Sequence, residues 1–194
     1  MDQATIDAYD VAASEYARDW QRQPSPSDLR DLLRRHLTKG QTADIGCGSG
    51  REVAWLNANS FPTVGYEGST GFLEVARRCH PALEFRFATL PQLEGINSNA
   101  FENVLCETVI MHLPFHEIAT SVQRLLDITK LGGMLYLSWR VTKEADVRDK
   151  KGRLYTAFSS DIVRNELLAT ATLLDSESMS ESSGKIIHRI LVRK

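Results

Sequence analysis

Three glycines at every second position, Gly46, Gly48 and Gly50, follow an apolar stretch and lead straight into a helix-like run. Glycine has no side chain to block a ligand and tolerates positive φ, so main-chain amides can approach a bound molecule closely here. The amides of the following helix N-terminus, from Arg51 onward, face the same molecule. The spacing is Gly-x-Gly-x-Gly rather than the Gly-x-Gly-x-x-Gly of dinucleotide-binding turns. Asp44 stands two residues before the first glycine, where it either orients the loop, caps it or receives hydrogen bonds from a ligand. Glu67 ends a second apolar stretch, and a carboxylate there can accept both hydroxyls of a ribose. It also suits the N-terminus of a helix beginning at Thr70.

Other candidates likewise follow apolar stretches, where an open parallel sheet holds its ligands. Gly68 and Ser69 continue the turn after Glu67. Thr89 and Leu90 border a ligand or form an ordinary turn. Cys106 and Glu107 follow a fourth stretch; Cys106 by itself reads as a small buried hydrophobe rather than a nucleophile. His112 is a general base or substrate contact at a pocket mouth, or a buried structural histidine. His112 and His116 stand four apart, but Pro114 between them disfavours the helix that would aim both at one metal, and no metal site is expected. Residues 140–153 carry six basic and three acidic side chains. They read as a solvated mobile loop, with contact to an anionic substrate as the alternative.

The elements that must position these residues are legible as hydrophobic periodicity. Ile6, Tyr9, Ala13, Tyr16 and Trp20 are spaced for one helix face over residues 3–20. Ser27 reads as the N-cap of a second helix, with Leu29, Leu32, Leu33 and Leu37 on one face and Gly40 just past its end. Residues 1–40 are expected to form a helical lid on a core of residues 41–194, together one domain. Strands at 42–45, 62–66, 83–87, 101–106 and 134–139 alternate with helices at 51–58, 70–79 and 117–129. That alternation demands right-handed crossovers and a mostly parallel sheet. Residues 170–176 and 186–193 are strands too close for a helical crossover, so they should pair antiparallel around a serine-rich loop at 176–183.

Composition narrows the class. A chain of 194 residues with 42% hydrophobic content suits one globular domain. Its 23 basic and 25 acidic residues leave a formal net charge of -2, which does not favour a grip on nucleic acid backbone. Cys47, Cys79 and Cys106 are scattered without a pairing pattern, which suits reduced thiols and a cytoplasmic setting. The polar, acidic N-terminus does not suit a signal peptide, and no apolar run is long enough for a membrane span. Oligomeric state is not legible.

Taken in order, these motifs resemble the class I methyltransferases that use S-adenosylmethionine. Residues 44–50 are similar to that family's glycine motif and Glu67 to its ribose-binding acid. Residues 101–106 resemble its fourth-strand motif, and Leu131-Gly132-Gly133-Met134-Leu135 its turn into the fifth strand. The resemblance implies an α/β, Rossmann-like, doubly wound sheet of seven strands with an antiparallel C-terminal strand. It implies S-adenosylmethionine as cofactor and S-adenosylhomocysteine as product, held by Asp44, Gly46, Cys47, Gly48, Gly50, Arg51, Glu67, Gly68, Ser69, Thr89, Leu90, Cys106 and Glu107. The N-terminal tyrosines resemble small-molecule enzymes whose first helix closes over the cofactor, which makes Tyr16 a candidate contact. Thr89 departs from the family pattern, standing where an aspartate is common beside the adenine amine. The Asn/Asp-Pro-Pro-Tyr/Phe signature of amino-methylating nucleic acid enzymes is absent. A small-molecule acceptor is the implied partner, with His112 as an optional base. A protein or RNA acceptor and a non-catalytic cofactor-binding domain are the alternatives.

Overall fold

The computed structural model describes residues 1–194. Two helices come first, α1 (Gln3–Arg22) and α2 (Ser27–His36). Then β1 (Thr42–Ile45), α3 (Arg51–Ala58), β2 (Thr63–Glu67), α4 (Thr70–Cys79), β3 (Glu84–Phe87) and β4 (Phe101–Cys106) alternate. A 3-10 turn at Ile110–His112 leads to α5 (Phe115–Ile128) and β5 (Thr129–Arg140). A two-stranded hairpin, β6 (Val147–Arg148) and β7 (Leu154–Tyr155), precedes α6 (Asp161–Glu166). The chain closes with β8 (Ala171–Met179) and β9 (Ile186–Arg193).

The main sheet has seven strands in the order β3-β2-β1-β4-β5-β9-β8. The first five are mutually parallel, and β9 runs antiparallel to both β5 and β8. Strand order reverses between β1 and β4, the switch point where such sheets open a crevice. Side chains of a strand alternate between faces. Val104 and Cys106 therefore join Ile118, Val122, Leu125 and Ile128 of α5 on one face. Leu105, Met134, Tyr136 and Leu191 meet Leu29 and Leu33 of α2 and Leu56 of α3 on the other. Each fully buried aliphatic side chain of this kind stabilises the fold by ~1.5–3 kcal/mol.

Helix α1 rests on α4 through Ala13, Tyr16, Ala17, Phe72 and Val75. The two backbones come so close that a Cβ on Gly71 would lie 2.7 Å from the Asp10 carbonyl oxygen. The Asp10 carboxylate accepts from the Gly71 amide (2.9 Å) and the Ser69 hydroxyl (2.5 Å), placing negative charge at the positive end of α4.

Several expectations need correction. Pro26, not Ser27, occupies the N-cap of α2, and Ser27 is its first helical residue, with its hydroxyl on Glu181. Helix α2 ends at His36, and Gly40 (φ 145°) belongs to the entry into β1. Only α1 lies over the crevice; α2 covers a sheet face because its leucines are paired with sheet residues. The 140–153 stretch is not a mobile loop. It forms the β6–β7 hairpin, pinned to α1 by Arg148–Asp2 and Lys151–Glu15 pairs (both 2.7 Å) and by the Leu154 amide on Thr5 Oγ1 (2.9 Å). Strand β8 extends through Met179, so part of the serine-rich segment is strand, and α6 was not expected. No helix is long and apolar enough to cross a membrane.

Candidate active site

A cavity of about 340 Å³ opens beyond the C-terminal ends of β1, β2, β4 and β5. That lies within the range of small-molecule sites. The glycine loop forms its base. Gly46 and Cys47 amides donate to the Tyr66 carbonyl (2.7 and 3.0 Å), which ties the loop to the end of β2. Gly46 has φ 74°, and a Cβ there would collide with Val109, so both its conformation and its neighbour exclude a side chain. Helix α1 supplies Tyr9 and Trp20 as cover, and the hairpin adds Arg153 and Tyr155.

Glu67 is gripped by the main chain. One carboxylate oxygen accepts from the Gly48 amide (2.8 Å), the other from Gly68 (2.8 Å) and Ser69 (2.9 Å). Burial raises its pKa while these three amides oppose the rise. A carboxylate has about four acceptor positions, so one remains open toward the cavity. Both roles read from the sequence, ligand acceptor and helix-terminal anion, are geometrically compatible. Ser69 caps α4 by accepting from the Phe72 amide (3.1 Å).

Asp44 is 3% exposed, lines the cavity and has no hydrogen-bond partner on its carboxylate. Burial pushes its pKa well up, and the nearby Glu52, Glu107 and Glu67 add to the rise. The other acids are better satisfied. Glu52 pairs with Arg30 (3.0 Å) and Arg51 (2.7 Å). Glu107 accepts from the hydroxyls of Tyr136 (2.6 Å) and Ser138 (2.5 Å). A buried acid without a partner is unfavourable, so this end of the cavity suits a cationic ligand.

At the other end stands His112. Its Nδ1 lies 2.5 Å from the Leu154 carbonyl oxygen. A carbonyl only accepts, so Nδ1 carries the proton and Nε2 accepts from the Tyr9 hydroxyl at 3.0 Å. Burial lowers the His112 pKa to about 4, partly opposed by the Leu154 bond. The imidazole is therefore neutral near pH 7, with its basic nitrogen tied to Tyr9. The Arg153 guanidinium also donates to the Tyr9 oxygen (3.4 Å).

The cavity brings together Asp44, Gly46, Cys47, Gly48, Arg51, Glu67, Gly68, Ser69, Thr89, Leu90, Glu107 and His112. Three expected contacts do not line it. Gly50 is the N-cap of α3 with φ 82°, turned toward Phe85 and His80. Cys106 is fully buried in the β4 core. Tyr16 packs beside Phe72 and Trp20, under Lys151 and Arg153, and its hydroxyl has no partner. Tyr9, two turns earlier on the same face, borders the cavity instead. Trp20, Glu52 and Tyr155 were not singled out as contacts, whereas Arg140 and Arg153 belong to the basic stretch whose alternative reading was contact with an anionic substrate. The helical spacing of Tyr9 and Trp20 was the available signal for those two.

A protein-family profile described as a methyltransferase domain matches residues 43–137, from β1 into β5. The chain belongs to the class I S-adenosylmethionine-dependent methyltransferases. The methyltransferase fold recurs in solved structures. A Burkholderia thailandensis 1,6-didemethyltoxoflavin-N1-methyltransferase superposes with a TM-score of 0.76 at 16% identity, over 99% of this chain and 88% of that one. It was crystallised with 1,6-didemethyltoxoflavin and S-adenosylhomocysteine. An S-adenosylmethionine-dependent methyltransferase from Anabaena variabilis gives 0.75 at 16% identity, over 100% and 95%. One from Methanosarcina mazei gives 0.73 at 16% identity, over 84% and 96%. A search of the curated proteins found no match. For this methyltransferase, the acidic lining around Asp44 suits the positive sulfonium and ammonium of S-adenosylmethionine in charge.

Proposed function

We propose that this methyltransferase moves a methyl group to an oxygen, nitrogen or sulfur atom of a small molecule, with residues 1–40 and 41–194 acting as one unit. The observation that carries the reading is the cover: α1 and the β6–β7 hairpin close over the cavity, leaving room for a compact acceptor beside Tyr9 and His112. The Burkholderia N1-methyltransferase with bound 1,6-didemethyltoxoflavin, a relative in fold, supports the reading.

Bound S-adenosylmethionine supplies the methyl carbon and a neutral thioether leaving group. Glu67, held in place by its three amide donors, would accept a ribose hydroxyl at its remaining position. Asp44 accepts from the ammonium, and its missing partner is thereby supplied. Gly46–Gly48 leave the main chain bare against the ligand, while Thr89 and Leu90 border the adenine. The protein then holds the acceptor in line with the methyl group and excludes water, an arrangement worth ~7–11 kcal/mol. With the cofactor bound, the acceptor's lone pair would form the new bond to carbon as the sulfur–carbon bond breaks. Where the acceptor carries a proton, Tyr9 takes it and passes its own to Nε2 of His112.

Calorimetry with S-adenosylhomocysteine and NAD in parallel tests the cofactor. Binding of S-adenosylhomocysteine alone is expected, and binding of NAD alone would overturn the assignment. A labelled-methyl screen across small molecules, peptides and RNA tests the acceptor, with label expected only in the small-molecule pool. Label in RNA or peptide would refute it.

A further inference from the structure

Arg140 ends β5, is half-buried and lines the cavity, yet its guanidinium has no carboxylate partner. Other cavity cations are engaged: Arg51 holds Glu52 (2.7 Å) and Arg153 holds Asp149 (2.7 Å). Lys185 is exposed, in the turn between β8 and β9. Sheet order separates the charges, because Asp44 and Glu67 end β1 and β2 while Arg140 ends β5, with β4 between. The acidic end is matched to a cationic cofactor. The opposite end presents one half-buried cation without a carboxylate partner, Arg140, with the exposed Lys185 at its rim.

The Tyr155 ring joins that charge to the base. Arg140 Cζ stands 5.2 Å from the ring centroid, and the His112 ring meets the same ring edge-on at 4.9 Å. A guanidinium backed by an aromatic face is positioned and partly desolvated, and its parallel N–H donors match a carboxylate in bidentate geometry. An anion on Arg140 and a nucleophile at Tyr9–His112 lie around one ring, so both belong to one compact molecule.

We propose that the acceptor is a small carboxylic acid whose carboxylate docks on Arg140 against Tyr155 while its nucleophilic atom faces the Tyr9–His112 pair. This rests on the cavity being the methyl-transfer site. Arg140 then decides which acceptors enter, and Tyr155 sets the distance between anion and nucleophile.

The test uses the full chain saturated with S-adenosylhomocysteine. Hydroxy-, amino- and mercaptobenzoic acids are titrated by calorimetry beside their primary amides. At least one acid is expected to bind tenfold or more tightly than its amide. Arg140→Gln should erase that preference and Arg140→Lys should keep part of it, with S-adenosylhomocysteine affinity within twofold of the parent in both. No acid preference in the parent protein, or a preference that survives Arg140→Gln, overturns the proposal and leaves the methyltransferase reading intact. Failure of the parent to bind S-adenosylhomocysteine would instead remove the reading on which the proposal rests.

Discussion

At the scale of single residues, buried ionisable groups couple function to stability. His112 has a native pKa of about 4 against an ordinary 6.5. Between those values the unfolded chain binds a proton that the native protein refuses, so stability falls as pH drops from 6.5 toward 4. The groups around the ring are Tyr9, Tyr155, Arg153, Asp149 and Asp2. The full effect is about 3 kcal/mol, and urea titrations across this pH range should show it in the parent and not in His112→Gln. Asp44 acts with the opposite sign. Its raised native pKa means that the folded protein holds the proton more tightly, so this group destabilises the fold as pH rises above the ordinary carboxylate value. Asp44→Asn should therefore raise the melting temperature of the ligand-free protein and diminish the shift produced by S-adenosylhomocysteine. A variant that melts lower and binds normally would contradict this account. Glu67→Ala should weaken S-adenosylhomocysteine by ~1–3 kcal/mol in calorimetry, the cost of losing a buried hydrogen-bonded pair.

At the scale of elements, the cover over the cavity is held by polar contacts at the start and in the middle of α1. Asp2 caps the helix through the Thr5 amide (2.9 Å) and also pairs with Arg148 of the hairpin. Asp10 fixes the middle of α1 to the start of α4. Asp10→Ala leaves the Gly71 amide and Ser69 hydroxyl without their acceptor, a loss of ~1–3 kcal/mol. Hydrogen exchange should then quicken in α1 while the amides of β4 and β5 keep their protection, because local opening does not require the sheet to unfold. Equal acceleration everywhere would show that α1 and the sheet open together. These contacts also explain why the basic 140–153 stretch is ordered. Its charges face the acids of α1, a pairing that net composition along the chain cannot reveal.

At the scale of the whole molecule, charge is nearly balanced, at a formal -2, but unevenly placed around the cavity. With a small acceptor, turnover should change little between 50 and 200 mM salt, whereas a nucleic acid acceptor would lose affinity by orders of magnitude over that range. The alternation of strands and helices, the glycine turn and Glu67 were legible because each leaves a local trace: period two, period 3.6, or a residue type that a turn demands. The antiparallel β9 was legible too, since residues 170 to 193 leave no room for a crossover helix. The choice of Tyr9 over Tyr16 was not, because both share one helix face and only the docking of α1 on α4 decides which ring meets the cavity. Nor were the β6–β7 hairpin and the protonated nitrogen of His112. Tyr9 and His112 stand 103 residues apart, and Thr5 and Leu154 stand 149 apart. The sequence alone thus determined the sheet, its switch point and the carboxylates that stand beside it, through local rules of backbone and burial. Tertiary structure decided the end of the cavity around Tyr9 and His112, because its chemistry arises from contacts between distant segments that leave no periodic mark on either one.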